Sequence, residues 1–205
     1  MHLPQLRPKV IARFQSPYSG TLRVVQGWGI RHLSTDTIQQ SGGIVREIWT
    51  KALNHKVQKH SSWLVLGVAG GSVLHLIFQR FAPTRIVGVD IDPLIVDIGR
   101  NYFGLDKIPH LELVIADAQK YVAKKDLSHF DYVLADLFCN ADPPRFVYSP
   151  EFIRNLKRLG GQVFINHLYD TPDHIQSALH LSTLISDLGY PNKLQRVLAN
   201  AVIIC

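Results

Sequence analysis

The chain holds 205 residues, 46% of them hydrophobic and 19% charged, which supplies a buried core and excludes wholesale disorder. Two cysteines, Cys139 and Cys205, exclude a disulfide framework and a Cys-rich zinc site, and no apolar run approaches the ~18 residues that span a bilayer. The formal net charge of +6 is unevenly placed: residues 1–60 carry nine basic side chains against Asp36 and Glu47, and residues 61–205 carry thirteen against fourteen acidic ones. A basic segment of this kind can meet an anionic partner such as nucleic acid. The density of lysine and arginine is low, so a solvated face or a subunit contact, as in a homodimer, is the expected reading. Met1-His2-Leu3-Pro4 opens no signal-peptide pattern, and a cytoplasmic protein without membrane contact is expected.

In chain order, Thr21 to Gln26 and Ile30 to Ser34 flank Gly27-Trp28-Gly29 and predict a β-hairpin. After Gly42-Gly43, the stretch Ile44 to Val57 places Ile44, Ile48, Trp49 and Leu53 at helical spacing. Residues 1–60 are too few for a core of their own and are read as a lid on a catalytic domain of residues 61–205. In that domain the pattern alternates. Trp63 to Leu66 is a short apolar run that ends in Gly67-Val68-Ala69-Gly70-Gly71. A helix follows through Val73, Leu74, Ile77, Phe78 and Phe81, closed by Pro83. Ile86 to Val89 is a second strand, and Asp92-Pro93 an N-cap with proline in the first turn. Leu111 to Ile115, Tyr132 to Ala135 and Val163 to Ile165 are further strands, and Ser149-Pro150 opens another helix. A helix near Asp173 to Leu188 precedes two closing β segments, Leu194 to Leu198 and Ala201 to Cys205.

Continuous apolar strands alternating with helices predict an α/β, doubly wound, mostly parallel sheet of seven strands with a short N-terminal hairpin lid. The closing hairpin resembles Rossmann-like class I methyltransferase folds rather than nicotinamide-binding ones. In such sheets ligands sit beyond the carboxyl ends of the strands, so the residues there are the candidates. Gly67, Gly70 and Gly71 follow the first strand and let a ligand approach the backbone; glycine turns also serve helix–sheet packing. Asp90 follows the second strand, 23 residues beyond Gly67, where a carboxylate can accept both hydroxyls of a ribose. Asp117 in Ala116-Asp117-Ala118 follows the third and can accept an exocyclic amine beside small neighbours. Asp136 follows the fourth. Taken together, a glycine turn and three carboxylates at successive strand ends point to a nucleoside site.

The runs VLGVAGGS, VGVDIDP, IADAQKYV, FDYVLADLF and LGGQVFIN resemble the spermidine synthase family and its methyltransferase-like relatives. That resemblance covers residues 60–170 and extends to TIQQSGGIVREIW, similar to the segment joining the family's small β domain to its catalytic domain. It implies S-adenosylmethionine or its decarboxylated form as ligand, no metal, and a small-molecule acceptor. It places the ribose on Asp90, the adenine amine on Asp117, Ile91 and Ala118 beside the nucleoside, the sulfonium-bearing tail at the Gly67, Ala69, Gly70 and Gly71 loop, and Asp136 in the catalytic position. Gln39 or Gln40 matches a ligand-contacting glutamine.

The chain also departs from the family pattern. Aminopropyltransferases carry an acid within the glycine loop, absent here, and a second aspartate three residues after the first, where Cys139 stands. Asp142 lies six residues after Asp136 and substitutes only if the loop is remodelled. The family's tyrosine before the connecting helix is replaced by Val45 or Arg46. The nucleoside half therefore reads as intact and the acceptor half as changed. His75 reads as a packed or surface histidine, His167 as a residue directly after the fifth strand that can face the cleft, and Cys139 as a buried or incidental thiol with no histidine partner beside it in sequence. Three functions are compatible: aminopropyl transfer, methyl transfer from S-adenosylmethionine, and a non-catalytic nucleoside-binding protein with a basic arm.

Overall fold

The protein, seen as a computed structural model, is described over residues 7–27, 29–36, 39–54, 57–139 and 142–205. Strands β1 (Lys9–Ser16), β2 (Gly20–Gly27) and β3 (Ile30–Ser34) form an antiparallel three-stranded sheet. The expected hairpin is thus the β2–β3 half of a larger unit; Trp28 of its turn lies outside the described residues. The first strand has no strong apolar run: Lys9 to Gln15 alternates exposed and half-buried positions, and its one buried position is the polar Ser16. Leu22, Val24 and Leu33 are fully buried and pack with Ile95 and Ile98. The small sheet therefore sits on a helix of the main body.

Helix α1 (Gly43–Ala52) buries Ile48, Trp49 and Ala52. It ends at Leu53, whose N–H still bonds to the Trp49 carbonyl. The predicted extension to Val57 does not form a helix up to Asn54, and His55 and Lys56 lie outside the described residues.

The main sheet contains β4 (Ser62–Leu66), β5 (Arg85–Asp90), β6 (Leu111–Ile115), β7 (Phe130–Ala135), β8 (Gly160–Leu168), β9 (Lys193–Val197) and β10 (Asn200–Ile204), in the spatial order β6-β5-β4-β7-β8-β10-β9. The first five in that order pair in parallel, and β10 is antiparallel to both β8 and β9. This is the seven-stranded, doubly wound α/β architecture that the apolar runs predict. Helices α2 (Ser72–Phe81), α3 (Pro93–Phe103), α4 (Ala118–Val122), α5 (Pro150–Leu159) and α6 (Pro172–Asp187) connect the strands. The cores on the two faces of the sheet are centred on Trp49, Trp63 and Leu74, and on Phe130, Phe152 and Leu181. No helix among the described residues is long and apolar enough to cross a membrane.

Capping follows the sequence. The Asp92 carboxylate accepts the Leu94 N–H at 3.0 Å, and Pro93 opens α3. Ser149 caps α5 in the same way. Asp92 also accepts the hydroxyl of Ser16, at the end of β1, so one carboxylate both starts α3 and ties down the small sheet. Strand order reverses between β4 and β7, which opens a crevice at their carboxyl ends.

Because the small sheet is held by an apolar seam, Leu22→Ala is expected to destabilise the fold by about 2–5 kcal/mol. Hydrogen exchange provides the check: amides of β2 and β3 should lose protection before those of β4 and β7.

Candidate functional site

Gly67 ends β4 with a left-handed φ of +88°, and a Cβ there would collide with the Asp136 carbonyl oxygen. Only glycine lets the β4 turn pass so close to the end of β7. Gly71, at φ +80°, precedes α2 and abuts Leu105; Gly70 packs beneath Ser41. Of the glycine-turn candidates, Gly67 and Ala69 face the crevice, and Gly70 and Gly71 lie behind its wall.

The crevice is a cavity of about 480 Å³, within the range of small-molecule sites. Asp90, Ile91, Asp117, Ala118, Asp136, Gln39 and Gln40 all line it, so the structure brings together the candidates from four strand ends and the connecting segment. The hairpin turn between β1 and β2 contributes Tyr18 and Ser19, held in place by the Ser16–Asp92 bond. Among the described lining residues there are three aspartates and no lysine, arginine or histidine. None of the three forms a salt bridge with another described residue.

Each aspartate is held differently. Asp90 accepts the Val68 and Ala69 N–H groups on Oδ2, at 2.9 and 3.3 Å, and the Asp92 N–H on Oδ1 at 3.0 Å. A carboxylate offers about four acceptor positions, so one position on Oδ1 has no donor among the described residues. Burial pushes the Asp90 carboxyl above its ordinary value, against the pull of these three backbone donors. Asp117 caps α4 by accepting the Lys120 N–H at 2.9 Å on Oδ1, which leaves its second oxygen for a ligand.

Asp136 is the most constrained. Its Oδ2 accepts the indole N–H of Trp49 at 2.7 Å and its Oδ1 the amide of Asn166 at 2.8 Å, while Asn166 accepts in turn from Asn200 at 3.0 Å. Both donors are neutral. Burial raises the Asp136 carboxyl above the ordinary range, and the Asn166 and Trp49 hydrogen bonds only partly counter it. Sequence reasoning missed Trp49, Asn166 and Asn200. Asn166 stands directly after the apolar run of β8 and was open to the strand-end logic that selected Asp136. The inward turn of the Trp49 indole has no signal in one sequence.

The remaining candidates separate cleanly. Gln39 donates to the Ser41 carbonyl at 2.9 Å, whereas Gln40 Oε1 is buried without a hydrogen-bond partner among the described residues. Asp142 is exposed, pairs through its backbone with Cys139 and sets its carboxylate 3.4 Å from His174; it is not among the described residues that line the cavity. His174 also contacts Asp170 at 2.5 Å. His167 does not face the cleft: it lies within β8, fully buried, bonded to the Tyr148 hydroxyl at 2.6 Å and the Leu168 carbonyl at 2.7 Å. His75 bonds to the Phe103 carbonyl at 2.7 Å. Cys139 is exposed on the cavity rim. No group of three or more His, Cys, Asp or Glu side chains among the described residues could hold a metal ion.

Comparison with known proteins points the same way. The spermine/spermidine synthase domain matches residues 44–165. A polyamine aminopropyltransferase of Aeropyrum pernix is 35% identical over 111 residues, covering 50% of this chain and 35% of that protein. The eEF1A lysine and N-terminal methyltransferase of Mus musculus is 28% identical over 106 residues, covering 47% of this chain and 15% of its own length. The chain thus matches about a third of the first relative and less of the second. A spermidine synthase solved with the transition-state analogue AdoDATO shares the fold at a TM-score of 0.75 and 16% identity, over 96% of this chain and 72% of that one.

Asp136 supplies a test by linkage. Its folded-state pKa lies above the unfolded value, so between the two the folded protein keeps a proton that the unfolded chain has lost. Stability therefore falls as pH rises through that window. Asp136→Asn removes this titration. Its melting temperature relative to wild type should increase between pH 4 and pH 7, as read from paired thermal melts; a pH-independent difference would place the carboxyl in the ordinary range.

Proposed function

We propose, because the chain belongs to the spermine/spermidine synthase family, that its cleft binds S-adenosylmethionine or decarboxylated S-adenosylmethionine and transfers a methyl or aminopropyl group to a small amine. The observation that carries this reading is the cleft's charge: three aspartates without ion-pair partners and no cationic side chain among the described lining residues. A sulfonium and an ammonium are both cations, and such a wall favours them although the chain as a whole is basic. The transition-state analogue bound by the related spermidine synthase supports the same ligand class.

In this reading Asp90 holds a ribose hydroxyl through its remaining Oδ1 position and Asp117 the adenine amine through its open oxygen. Ile91 and Ala118 flank the ring, Gly67 and Ala69 border the sulfonium-bearing tail, and Gln40, whose oxygen has no partner among the described residues, replaces Gln39 as the ligand-contacting glutamine. Within residues 1–60, the β1–β3 sheet acts as the lid over residues 61–205, while α1 packs into their core. Asp136 accepts one proton from the acceptor ammonium. The freed nitrogen lone pair forms the N–C bond as the S–C bond breaks, its electron pair staying on sulfur to give a neutral thioether. Burial that raises the Asp136 carboxyl brings it closer to the basicity such a transfer needs. The enzyme otherwise acts by holding nucleophile and carbon in line.

Calorimetry with methylthioadenosine tests the nucleoside assignment. Asp90→Ala and Asp117→Ala should each lose about 1.5–3 kcal/mol of binding, roughly ten- to a hundredfold in Kd. Asp90→Ala should also lower the melting temperature, since it strands the Val68 and Ala69 N–H groups. Wild-type affinity in both variants would remove the assignment.

A further inference from the structure

We infer that the acceptor of this site is a monoamine with an apolar body, one ammonium meeting Asp136 and an alkyl or aryl remainder meeting hydrocarbon; the inference rests on the transferase reading above. The cavity wall around the Asp136 end is built from α1, the loop after β7 and the end of β8. Its side chains include Ile48, Leu137, Phe138, Pro144, Phe146 and Leu168, and Asp136 is the one carboxylate these elements place on it among the described residues.

The polar groups beside Asp136 are committed. Asn166 donates to it and accepts from Asn200, and the Trp49 N–H is spent on it. These donors satisfy the carboxylate but bring no positive charge, so an incoming ammonium supplies the missing counter-ion. Asp136 is half-buried, and an ammonium beside it adds a charged partner whose attraction offsets part of its own desolvation cost.

A second ammonium finds no equivalent. Cys139 stands three residues after Asp136, and Asp142 directs its carboxylate to His174, outside the cavity lining. The second charge of a diamine finds no carboxylate on this wall, and held against its hydrocarbon it is uncompensated, which is strongly unfavourable. A methylene chain or ring placed there instead gains from burial of apolar area.

The test uses a matched pair, hexylamine and 1,6-diaminohexane, of equal chain length and differing by one ammonium. Each is titrated calorimetrically into the full chain saturated with methylthioadenosine, for wild type and Asp136→Asn. Hexylamine should bind at least tenfold more tightly than the diamine, and Asp136→Asn should lose that binding while keeping methylthioadenosine. Equal or tighter binding of the diamine, or no binding of hexylamine to the saturated protein, overturns the inference and leaves the nucleoside site standing. Failure of methylthioadenosine itself to bind overturns the transferase reading, and this inference with it.

Discussion

Asp136 is a carboxylate on a cavity wall whose two partners among the described residues, the Trp49 indole and the Asn166 amide, are both neutral. Much of the architecture converges on that arrangement. Helix α1 exists to bury Ile48, Trp49 and Ala52, and in doing so aims an indole N–H at the end of β7. The antiparallel pairing of β10 with β8 sets Asn200 beside Leu168 and Val202 beside Asn166, which brings the two asparagines within hydrogen-bonding reach. Even the glycine that ends β4 is fixed by the Asp136 backbone, since its carbonyl oxygen occupies the space of a Cβ. A charge held by neutral dipoles is tolerated but not neutralised, which is the place the proposal gives to a cationic ligand.

The nucleoside half of the cleft obeys a different logic. There the aspartates also hold the backbone: Asp90 gathers the N–H groups of the glycine turn and Asp117 starts α4. Under the proposed assignment, ligand contact and local folding share the same carboxylates, so those two positions couple affinity to stability. The N-terminal sheet adds to this half through Tyr18 and Ser19, and its hold on α3 through Asp92 makes the cleft's shape depend on a seam of Leu22, Val24, Leu33, Ile95 and Ile98.

The main sheet was legible because strands covered on both faces, such as Leu64 to Leu66 and Val133 to Ala135, carry unbroken apolar runs. Strand ends then located Asp90, Asp117 and Asp136 without any contact information. Strand β1 is hidden because its positions are exposed or half-buried up to the polar Ser16, and the end of α1 because the apolar spacing continues to Leu53, past its last helical residue, Ala52. His167 was placed beyond its strand because β8 runs on to Leu168, with polar side chains inside it satisfied by Tyr148 and Asn200. Tertiary partners of that kind, and the outward turn of Asp142 toward His174, depend on side-chain direction across elements distant in sequence, which spacing alone does not encode.

The central claim is that Asp136 is a carboxylate awaiting a cation. Carbon-13 NMR of aspartate-labelled protein, with the Asp136 carboxyl resonance assigned by its loss in Asp136→Asn, tracks that group directly through a pH titration with and without saturating hexylamine in the methylthioadenosine complex. The account predicts a midpoint above the ordinary carboxylate range in the free protein and a clear fall when the ammonium binds. A midpoint near the ordinary value of 3.8, unmoved by the amine, would contradict it.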